Sequence, residues 1–412
     1  MLKLLHFADA HIDMANYGRH DSETGLPVRV MDFLRSLDTI VDAAIDEKVN
    51  LVLFAGDAYK DRSPAPTFQR EWGRRIMRLS RAGIPTLLLV GNHDLSPALG
   101  RAHALDPFST LEVPNVRVLD KPQFLRPEDL WGLPLQIIAL PWVSRSGMMA
   151  SLDLQSDTPA DIYTDLEGKL GELVSLWLEK ADPSLPTVLT AHASVQGAKF
   201  GGERNVLLGS DLVLSGSLVK DPRLDYVALG HIHKPQDLNE GCQPPVIYPG
   251  SIERVDFGEI AEDKFYILVS LEKGQDTKAD WRQLTGIRPF LDRYLKLDSQ
   301  EKVNETILKI LPSAKKLDGA VFRLILDYPR DWEPLIDEAS IRAHCAGCFE
   351  FHFIKRPQVE NRVRLADNQT IGALTPLELL DLYWKSNHTD PIEVENLQNL
   401  AQKILAEGSG LA

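Results

Sequence analysis

The chain has 412 residues, a formal charge of −14 at pH 7 and three cysteines. These numbers exclude a disulfide-stabilised scaffold, and they argue against a protein that coats nucleic acid by bulk positive charge, which requires clustered lysine and arginine. The sequence has no apolar stretch near the roughly 20 residues of a membrane span, and its polar opening MLKLLHFADAHID does not resemble a signal peptide, so we expect globular domains in the cytoplasm.

Short apolar runs alternate with helical patterns over about the first 275 residues. Strands are predicted at residues 3–8, 51–55, 85–90, 136–141, 186–191, 225–230, 246–249 and 264–271. Amphipathic helices are predicted at residues 29–48, 67–82 and 162–180, where apolar residues recur every three or four positions. This alternation predicts an α/β sandwich, which we assign to residues 1–275.

The pattern changes after residue 273. Predicted strands at 280–285, 290–297, 321–327 and 349–355, with a helix at 301–311, form a small α+β capping domain at residues 280–358, expected to bind DNA. The polar residues 359–373 predict a linker. Residues 374–406 predict a tail of two helices, the first with Thr375 and Glu378 as a capping box around Pro376.

Polar side chains follow the predicted strands at the points where the strands end. Seven of them are candidate metal ligands: Asp9, His11, Asp57, Asn92, His192, His231 and His233. Because side chains two apart on an extended chain point to the same side, Asp9 and His11 are expected to converge, as are His231 and His233. Ligands of α/β sheets bind beyond the carboxyl ends of strands, so the sequence predicts one site there.

The number and type of these side chains predict two metals. One tetrahedral zinc needs about four ligands, whereas seven ligands with one shared carboxylate suit two ions roughly 3.5–4 Å apart. Asp57 is the expected bridge, since it is the lone carboxylate of its strand end. Imidazole, carboxylate and amide donors favour Mn²⁺, with Fe or Zn²⁺ as alternatives. A single D-x-H or H-x-H would be a weak signal, because a buried histidine more often just satisfies a hydrogen bond, but four separate motifs at strand ends are a stronger one.

His93 and Asp94 directly follow Asn92 in the sequence. A two-metal site activates water and binds the oxygens of a phosphoryl group, but the leaving oxygen still needs a proton or a positive group. We predict that His93 has this catalytic role. Asp94 is predicted to orient the imidazole, as carboxylates commonly do.

The motifs D-x-H, G-D, G-N-H-D, a lone histidine and G-H-x-H, in this order, resemble those of the calcineurin-like metallophosphoesterase family over about residues 1–275. Within the family, the chain is similar to the nuclease components of bacterial SbcCD complexes, relatives of the double-strand-break repair nucleases. The resemblance implies a two-sheet core. It also implies one metal on Asp9, His11, Asp57 and His233, and another on Asp57, Asn92, His192 and His231.

The same resemblance implies a nuclease of DNA repair, recombination and replication. It would act as an exonuclease on duplex ends and as an endonuclease on single strands or hairpins, in a homodimer with a coiled-coil ATPase. The chain has no G-x-x-x-x-G-K-[ST] loop, so any ATP dependence would come from that partner. The apolar stripes of the tail helices are expected to bind it.

Two other functions stay open from the sequence. A phosphodiesterase or pyrophosphatase for small nucleotides would need the same metals but no partner-binding tail. A structural component with a relic site would be expected to lack ligands, whereas all seven and His93 are present.

Four cations are candidates for contact with DNA: Lys60, Lys199, Arg204 and Arg254. Ordinary surface charge is the alternative interpretation. Lys60 also stands where some relatives carry a histidine, which bears on the balance of exonuclease and endonuclease activity. Cys345 and Cys348, with histidines nearby, form a C-x-x-C pattern, but no second ligand pair at zinc-knuckle spacing accompanies them, so we assign no metal there.

Overall fold

The structure is a computed structural model that describes residues 1–16, 19–95, 101–142, 159–201, 213–358, 374–386 and 391–408. The strands are β1 Leu2–Phe7, β2 Leu51–Phe54, β3 Thr86–Leu89, β4 Val116–Leu119, β5 Gln123–Leu125, β6 Gln136–Leu140, β7 Thr187–His192, β8 Ser194–Val195, β9 Val213–Leu214, β10 Tyr226–Gly230, β11 Gln236–Asp237, β12 Val246–Tyr248, β13 Phe265–Leu271, β14 Lys278–Gln283, β15 Phe290–Lys296, β16 Val321–Pro329 and β17 Glu350–Gln358. The helices are α1 Val28–Asp46, α2 Pro66–Arg81, α3 Asp106–Thr110, α4 Pro159–Lys180, α5 Gly216–Val219, α6 Val303–Ile310, α7 Ala314–Leu317, α8 Glu338–His344, α9 Pro376–Ser386 and α10 Pro391–Gly408.

The first sheet has the strand order β14-β13-β1-β2-β3-β4. Strands β1 to β4 run parallel, and β13 and β14 extend the sheet beyond β1 through antiparallel pairing. Strands β2 and β3 consist of fully buried residues, as expected of parallel strands that are covered on both faces. The carboxyl ends of β1, β2 and β3 therefore lie side by side.

The second sheet has the order β11-β12-β10-β7-β6-β5, and its central strands β6, β7, β10 and β12 are parallel. One face of each sheet contributes to a shared apolar core. That core includes Leu4, Leu53, Leu87 and Ile267 from the first sheet and Ile137, Val188, Tyr226 and Ala228 from the second. The two sheets thus pack face to face.

Helices cover the outer faces of both sheets. On the first, Phe33 of α1 and Trp72 of α2 pack in one cluster with Phe7 and Phe54. On the second, α4 contributes Leu170, Val174 and Leu178. The predicted two-sheet α/β sandwich is confirmed, and the apolar periodicity of the helices corresponds to the faces that they bury.

Strand β14 belongs to the first sheet, where it pairs antiparallel with β13. The sequence-based prediction of a strand at 280–285 in the capping domain is therefore wrong in its domain assignment. The exposed charges of β14 alternate with half-buried Ala279 and Trp281, a pattern that suits any sheet edge and does not indicate which sheet. By its contacts the chain divides into a unit of Met1–Leu291 with Gly319–Val321 and a unit of Asp292–Asp318 with Phe322–Ala412.

The second unit contains a three-stranded sheet of order β15-β16-β17, an α+β arrangement. Buried Leu324 and Leu326 of β16, Ile307 of α6 and Ile341 of α8 belong to its apolar interior. Helix α9 begins with the predicted capping box, in which the backbone N–H of Thr375 donates to Glu378 Oε2 at 2.7 Å. The predicted linker at 359–373 lies outside the described residues.

The two C-terminal helices contact each other. Gln398 of α10 donates to Asp381 Oδ1 of α9 at 2.9 Å. Trp384 is buried, whereas Tyr383, Leu400 and Ile404 are exposed. Across the described residues, no helix has both the length and the apolar character needed to cross a membrane.

Candidate metal centre

The seven side chains predicted as metal ligands meet at the carboxyl ends of strands from both sheets. The first sheet supplies Asp9 and His11 after β1, Asp57 after β2 and Asn92 after β3; the second supplies His192 at the end of β7 and His231 and His233 after β10. All of them are buried except the half-buried Asn92 and His233. Buried ionisable groups are costly unless they are paired or bind a metal.

Four of these residues have a left-handed backbone. The angle φ is 49° at Asp9, 39° at His11, 64° at Asp57 and 98° at His231. The extended-chain reason given for the convergence of Asp9 and His11 is therefore wrong: β1 ends at Phe7, and both residues lie beyond it in the left-handed region. Such conformations cost of the order of 1–3 kcal/mol each and concentrate at functional sites.

Two motif glycines leave the space that the ligands occupy. A Cβ atom on Gly56, where φ is 102°, would lie 2.2 Å from Nδ1 of His192. A Cβ atom on Gly91 would lie 2.1 Å from Oδ1 of Asp57. The glycines of the G-D and G-N-H-D motifs are thus steric requirements of this site.

His11, His233 and Asp9 form a first group of donor atoms. The Nε2 atoms of the two histidines lie 3.0 Å apart, and Asp9 offers a carboxylate oxygen within 4.8 Å of both. The outer nitrogen of each ring, Nδ1, points away from this group and faces an oxygen acceptor. Nδ1 of His11 lies 3.1 Å from the Tyr59 carbonyl oxygen, and Nδ1 of His233 lies 2.9 Å from Glu259 Oε1. Both Nδ1 atoms therefore carry the hydrogen, and both Nε2 atoms present lone pairs to the same space.

Asn92, His192 and His231 form a second group. Oδ1 of Asn92 lies 3.0 Å from Nε2 of His192 and 3.0 Å from Nδ1 of His231. Nδ1 of His192 lies 2.7 Å from the carbonyl oxygen of Ala55, so this nitrogen donates and the opposite one faces the group.

Asp57 lies between the two groups. Its Oδ2 is 3.3 Å from Nε2 of His192 and 3.9 Å from Nε2 of His11. Burial acts to raise the pKa of Asp57, but the surrounding histidines, His192 foremost, hold this pKa well below its usual range. Conversely, Asp57 outweighs burial and raises the pKa of His192 to about 9. The pocket therefore favours a positive charge where these side chains meet.

This geometry fits divalent cations. Two ligands at right angles around one ion, with bonds of about 2.1 Å, lie about 3.0 Å apart, and this is the separation of the donor atoms in each group. In the first group, the lone pairs of the two Nε2 atoms face each other at this distance and repel unless a cation lies between them. Nitrogen and oxygen donors without thiolate suit Mn²⁺, Fe or Zn²⁺.

A family model described as calcineurin-like phosphoesterase matches residues 2–235, more than half of the chain. The chain belongs to the calcineurin-like phosphoesterase family. It is accordingly a metal-dependent phosphodiesterase, and membership of the family implies divalent metals at this centre.

Proteins similar to this calcineurin-like phosphoesterase include named nucleases. DNA double-strand break repair protein Mre11 of Archaeoglobus fulgidus is 24% identical over 390 residues, which cover 92% of this chain and 80% of that protein. The SbcCD nuclease component of Escherichia coli is 25% identical over 283 residues, or 66% of each chain. The corresponding protein of Rhodobacter capsulatus is 28% identical over 286 residues, which cover 66% of this chain and 67% of that protein. The resemblance to SbcCD nucleases is thus confirmed.

In this phosphoesterase, His93 lies beside the first group of donors. Its ring is perpendicular to that of His11, with centroids 5.2 Å apart. Its backbone N–H donates to Oδ1 of Asp57 at 2.8 Å, and its Nδ1 lies 2.6 Å from the Lys60 carbonyl oxygen. Half-buried His93 also lines a groove of about 780 Å³, together with Lys60 and Phe68.

Asp94 does not orient His93, which corrects the role predicted for it. Its carboxylate accepts the backbone N–H groups of Asp57, Ala58 and Gly91 at 2.9 to 3.0 Å. Asp94 is fully buried, and burial raises its pKa to about 7. Asp94 therefore holds the loops after β2 and β3 together. The His93 imidazole is oriented by the Lys60 carbonyl oxygen instead.

The cations predicted to contact DNA occupy different environments. Lys60 and Lys199 are exposed, whereas Arg204 lies outside the described residues. The guanidinium of Arg254 donates to three backbone carbonyls, those of Glu259, Glu262 and Arg288, at 3.0 to 3.2 Å. Arg254 thus fixes the backbone and is not available to a phosphate, contrary to the sequence prediction.

Three residues of the site carried no sequence signal that we used. Glu259 binds His233 from 26 positions further along the chain, and buried Lys264 binds Glu259. Trp142 packs its ring on that of His231, with centroids 5.0 Å apart. The sequence feature that could have indicated Lys264 is its position directly before the apolar strand β13, where a lysine is unusual.

Cys345 and Cys348 of the second unit are buried and have free thiols. Burial, reinforced by the neighbouring Cys348, raises the pKa of Cys345 to about 12. A thiol of this kind is a poor nucleophile.

Proposed function

We propose that this phosphodiesterase is a DNA nuclease of the SbcCD type. It would cleave duplex ends as an exonuclease and single strands or hairpins as an endonuclease. The observation that carries the proposal is the pair of donor groups on either side of Asp57, in a chain similar to a DNA double-strand break repair protein and to SbcCD nucleases. A second unit appended to the phosphoesterase core supports a large substrate.

Two divalent ions, with Mn²⁺ as the first candidate, would be held by the seven ligands. One would bind Asp9, His11, Asp57 and His233, and the other Asp57, Asn92, His192 and His231. When bound, the ions supply Lewis-acid charge to a phosphoryl group and make water a stronger acid.

His93 would be the catalytic residue at the leaving oxygen. Because the Lys60 carbonyl accepts the hydrogen of Nδ1, Nε2 is the nitrogen that exchanges a proton with the substrate. In its protonated form, Nε2 gives that proton to the nucleotide oxygen as the P–O bond breaks. The hydrogen bond from the His93 backbone to Asp57 keeps the ring beside the metal ligands.

The groove of about 780 Å³ beside His93 is the proposed entry for the nucleic acid strand. Lys60 lines this groove and is exposed, so it remains a candidate for phosphate contact. Lys199 is a second candidate. A cation that contacts a phosphate without reading a base weakens binding uniformly across sequences when it is removed, and it makes binding depend on salt.

The C-terminal helices α9 and α10 are the proposed binding site for a coiled-coil ATPase partner. Exposed Leu400 and Ile404 on α10 supply apolar contacts of the kind by which a helix packs into a groove or against another helix. Replacement of Ile404 by Asp should abolish co-purification with the ATPase, whereas replacement of the nearby exposed Gln402 by Glu should preserve it. Homodimer formation and a cytoplasmic location also remain predictions.

The function is tested by incubation of the purified chain with linear duplex, single-stranded and hairpin DNA in Mn²⁺, alone and with the ATPase. Cyclic nucleotides and nucleotide diphosphates form a second set of substrates. We expect cleavage of DNA, and we expect EDTA to stop it. Turnover of a small nucleotide far above that of DNA would instead favour a phosphodiesterase of the same fold.

A further inference from the structure

Glu259 stands between one proposed metal ligand and a buried lysine. Its Oε1 lies 2.9 Å from Nδ1 of His233. Its Oε2 accepts a hydrogen bond from Nζ of Lys264 at 2.6 Å. Glu259 is 1% exposed and Lys264 is not exposed at all, so the ion pair is withdrawn from solvent.

Further donors hold the same carboxylate oxygen. Oγ of Ser251 and the backbone N–H of Val255 both donate to Oε2 of Glu259 at 3.1 Å. Lys264 also donates to Ser251 Oγ at 2.8 Å. With three donors on one oxygen, the carboxylate has a single orientation, in which the other oxygen faces His233.

The backbone around Glu259 is fixed as well. Nε of Arg254 donates to the Glu259 carbonyl oxygen at 3.2 Å, and its other nitrogens bind the carbonyls of Glu262 and Arg288. Both the main chain and the side chain of Glu259 are thus held in place independently of His233.

His233 differs in this respect from the other histidines whose outer nitrogen has an assigned acceptor. The Nδ1 atoms of His11 and His192 face the backbone carbonyls of Tyr59 and Ala55, which are neutral. His233 faces an ionised carboxylate. A carboxylate that accepts the hydrogen of the outer nitrogen fixes the tautomer and the ring plane of a metal-binding histidine. It also raises the basicity of the opposite nitrogen, which binds the metal.

We propose that Glu259, locked by Lys264, is a positioning residue that orients His233 and thereby sets the affinity of the ion shared by His11 and His233. The inference rests on the two-ion centre of the proposed function. The ion of the Asn92, His192 and His231 group makes no use of Glu259. The two ions should therefore respond differently to a change at this position.

Glu259→Gln is the first test. The amide oxygen would stay with the donors around Lys264, so the NH₂ group would face His233. His233 would then have to accept at Nδ1 and carry its hydrogen on Nε2, the atom that must bind the ion. We expect one Mn²⁺ to bind about 10- to 100-fold more weakly than in the wild type and the other to be unchanged, as measured by titration calorimetry.

Electron paramagnetic resonance supplies a second readout, because two adjacent Mn²⁺ ions give a coupled spectrum and single ions do not. The variant should show the single-ion spectrum at concentrations where the wild type shows the coupled one. Glu253→Gln is the matched control: Glu253 is equally buried, lies in the same segment and contacts Arg29 and backbone amides rather than His233. It should keep both ions at wild-type affinity.

If Glu259→Gln does not fold because Lys264 has lost its partner, the double variant Glu259→Gln with Lys264→Met removes both charges. It should fold and still bind one ion at least about 10-fold more weakly, because an amide lacks the charge of the carboxylate. Two ions at wild-type affinity in either variant, or an equal loss in Glu253→Gln, would overturn the role of Glu259. A wild type that binds no Mn²⁺ would overturn the two-ion centre itself.

Discussion

The imidazole of His93 is anchored by the main chain of Lys60, whose carbonyl oxygen lies 2.6 Å from Nδ1. Lys60 belongs to the segment that follows Asp57, so one loop supplies both the proposed bridging ligand and the acceptor that orients the proposed acid. The side chain of residue 60 has no part in this contact. Its identity can therefore change without loss of the anchor.

We expect His93→Ala to lower DNA cleavage by roughly 10²–10⁴-fold, because it removes the group that would protonate the leaving oxygen. Both Mn²⁺ ions should remain, since His93 is not among the seven ligands. Steady-state cleavage of a hairpin and the Mn²⁺ stoichiometry measure the two effects. A variant that cleaves hairpins at the wild-type rate would contradict the role.

Asp57→Ala should bind at most one Mn²⁺, because the Asp57 carboxylate lies between the two donor groups and is the proposed bridge. Elemental analysis after equilibrium dialysis gives the count. Asp61→Ala is the control, since Asp61 lies in the same loop and is exposed, with its carboxylate accepting the Ser63 backbone. Two ions in Asp57→Ala would rule out the bridge.

Asp94→Ala should destabilise the fold by roughly 3 kcal/mol or more, since three buried N–H groups lose their acceptor and each costs about 1–3 kcal/mol. The free energy of unfolding from urea denaturation of the metal-free protein measures this loss. Exposed Glu240 offers a control, and Glu240→Ala should change stability by less than about 0.5 kcal/mol. Similar unfolding midpoints for the two variants would show that Asp94 has no such structural role.

Gly91→Ala should displace the Asp57 carboxylate and weaken Mn²⁺ binding, because the new Cβ would lie 2.1 Å from Oδ1. The crowding should also destabilise the fold by about 1–3 kcal/mol. Gly73→Ala in α2 meets nothing within 4 Å and should stabilise by up to about 1 kcal/mol. Calorimetric titration measures the Mn²⁺ affinity of the two variants, and thermal unfolding measures their stability. Wild-type Mn²⁺ affinity in Gly91→Ala would contradict the steric requirement for glycine at this position.

Much of the core fold was predictable because its strands are continuous apolar runs. The apolar run that ends at Phe54 predicts a buried strand, and the apolar periodicity of the two helices that carry Phe33 and Trp72 predicts the faces that they bury. Strand β14 was assigned to the wrong unit because an edge strand with exposed charges carries little information about its neighbour.

The candidate site was predictable as a set of residues but not as a geometry. Motif order indicated which side chains would meet. The left-handed backbone at Asp9 and His11 has only a weak signature in side-chain type: Asp and His are enriched at positive φ, but most residues of these types have negative φ. Asp94 was misassigned because sequence adjacency to His93 suggested a contact, whereas its three acceptor interactions depend on how two loops approach each other.

Glu259 and Lys264 illustrate the same limit. Glutamate and lysine are mostly exposed residue types, and only the tertiary packing around Ser251 withdraws these two from water.

The seven donors are divided between the two β-sheets, four on one and three on the other. Ions bound among them would cross-link the two sheets, since each ion would take ligands from both. Folding and metal binding would then be linked thermodynamically. Removal of the ions by a chelator would lower the free energy of unfolding of the whole core as well as abolish catalysis.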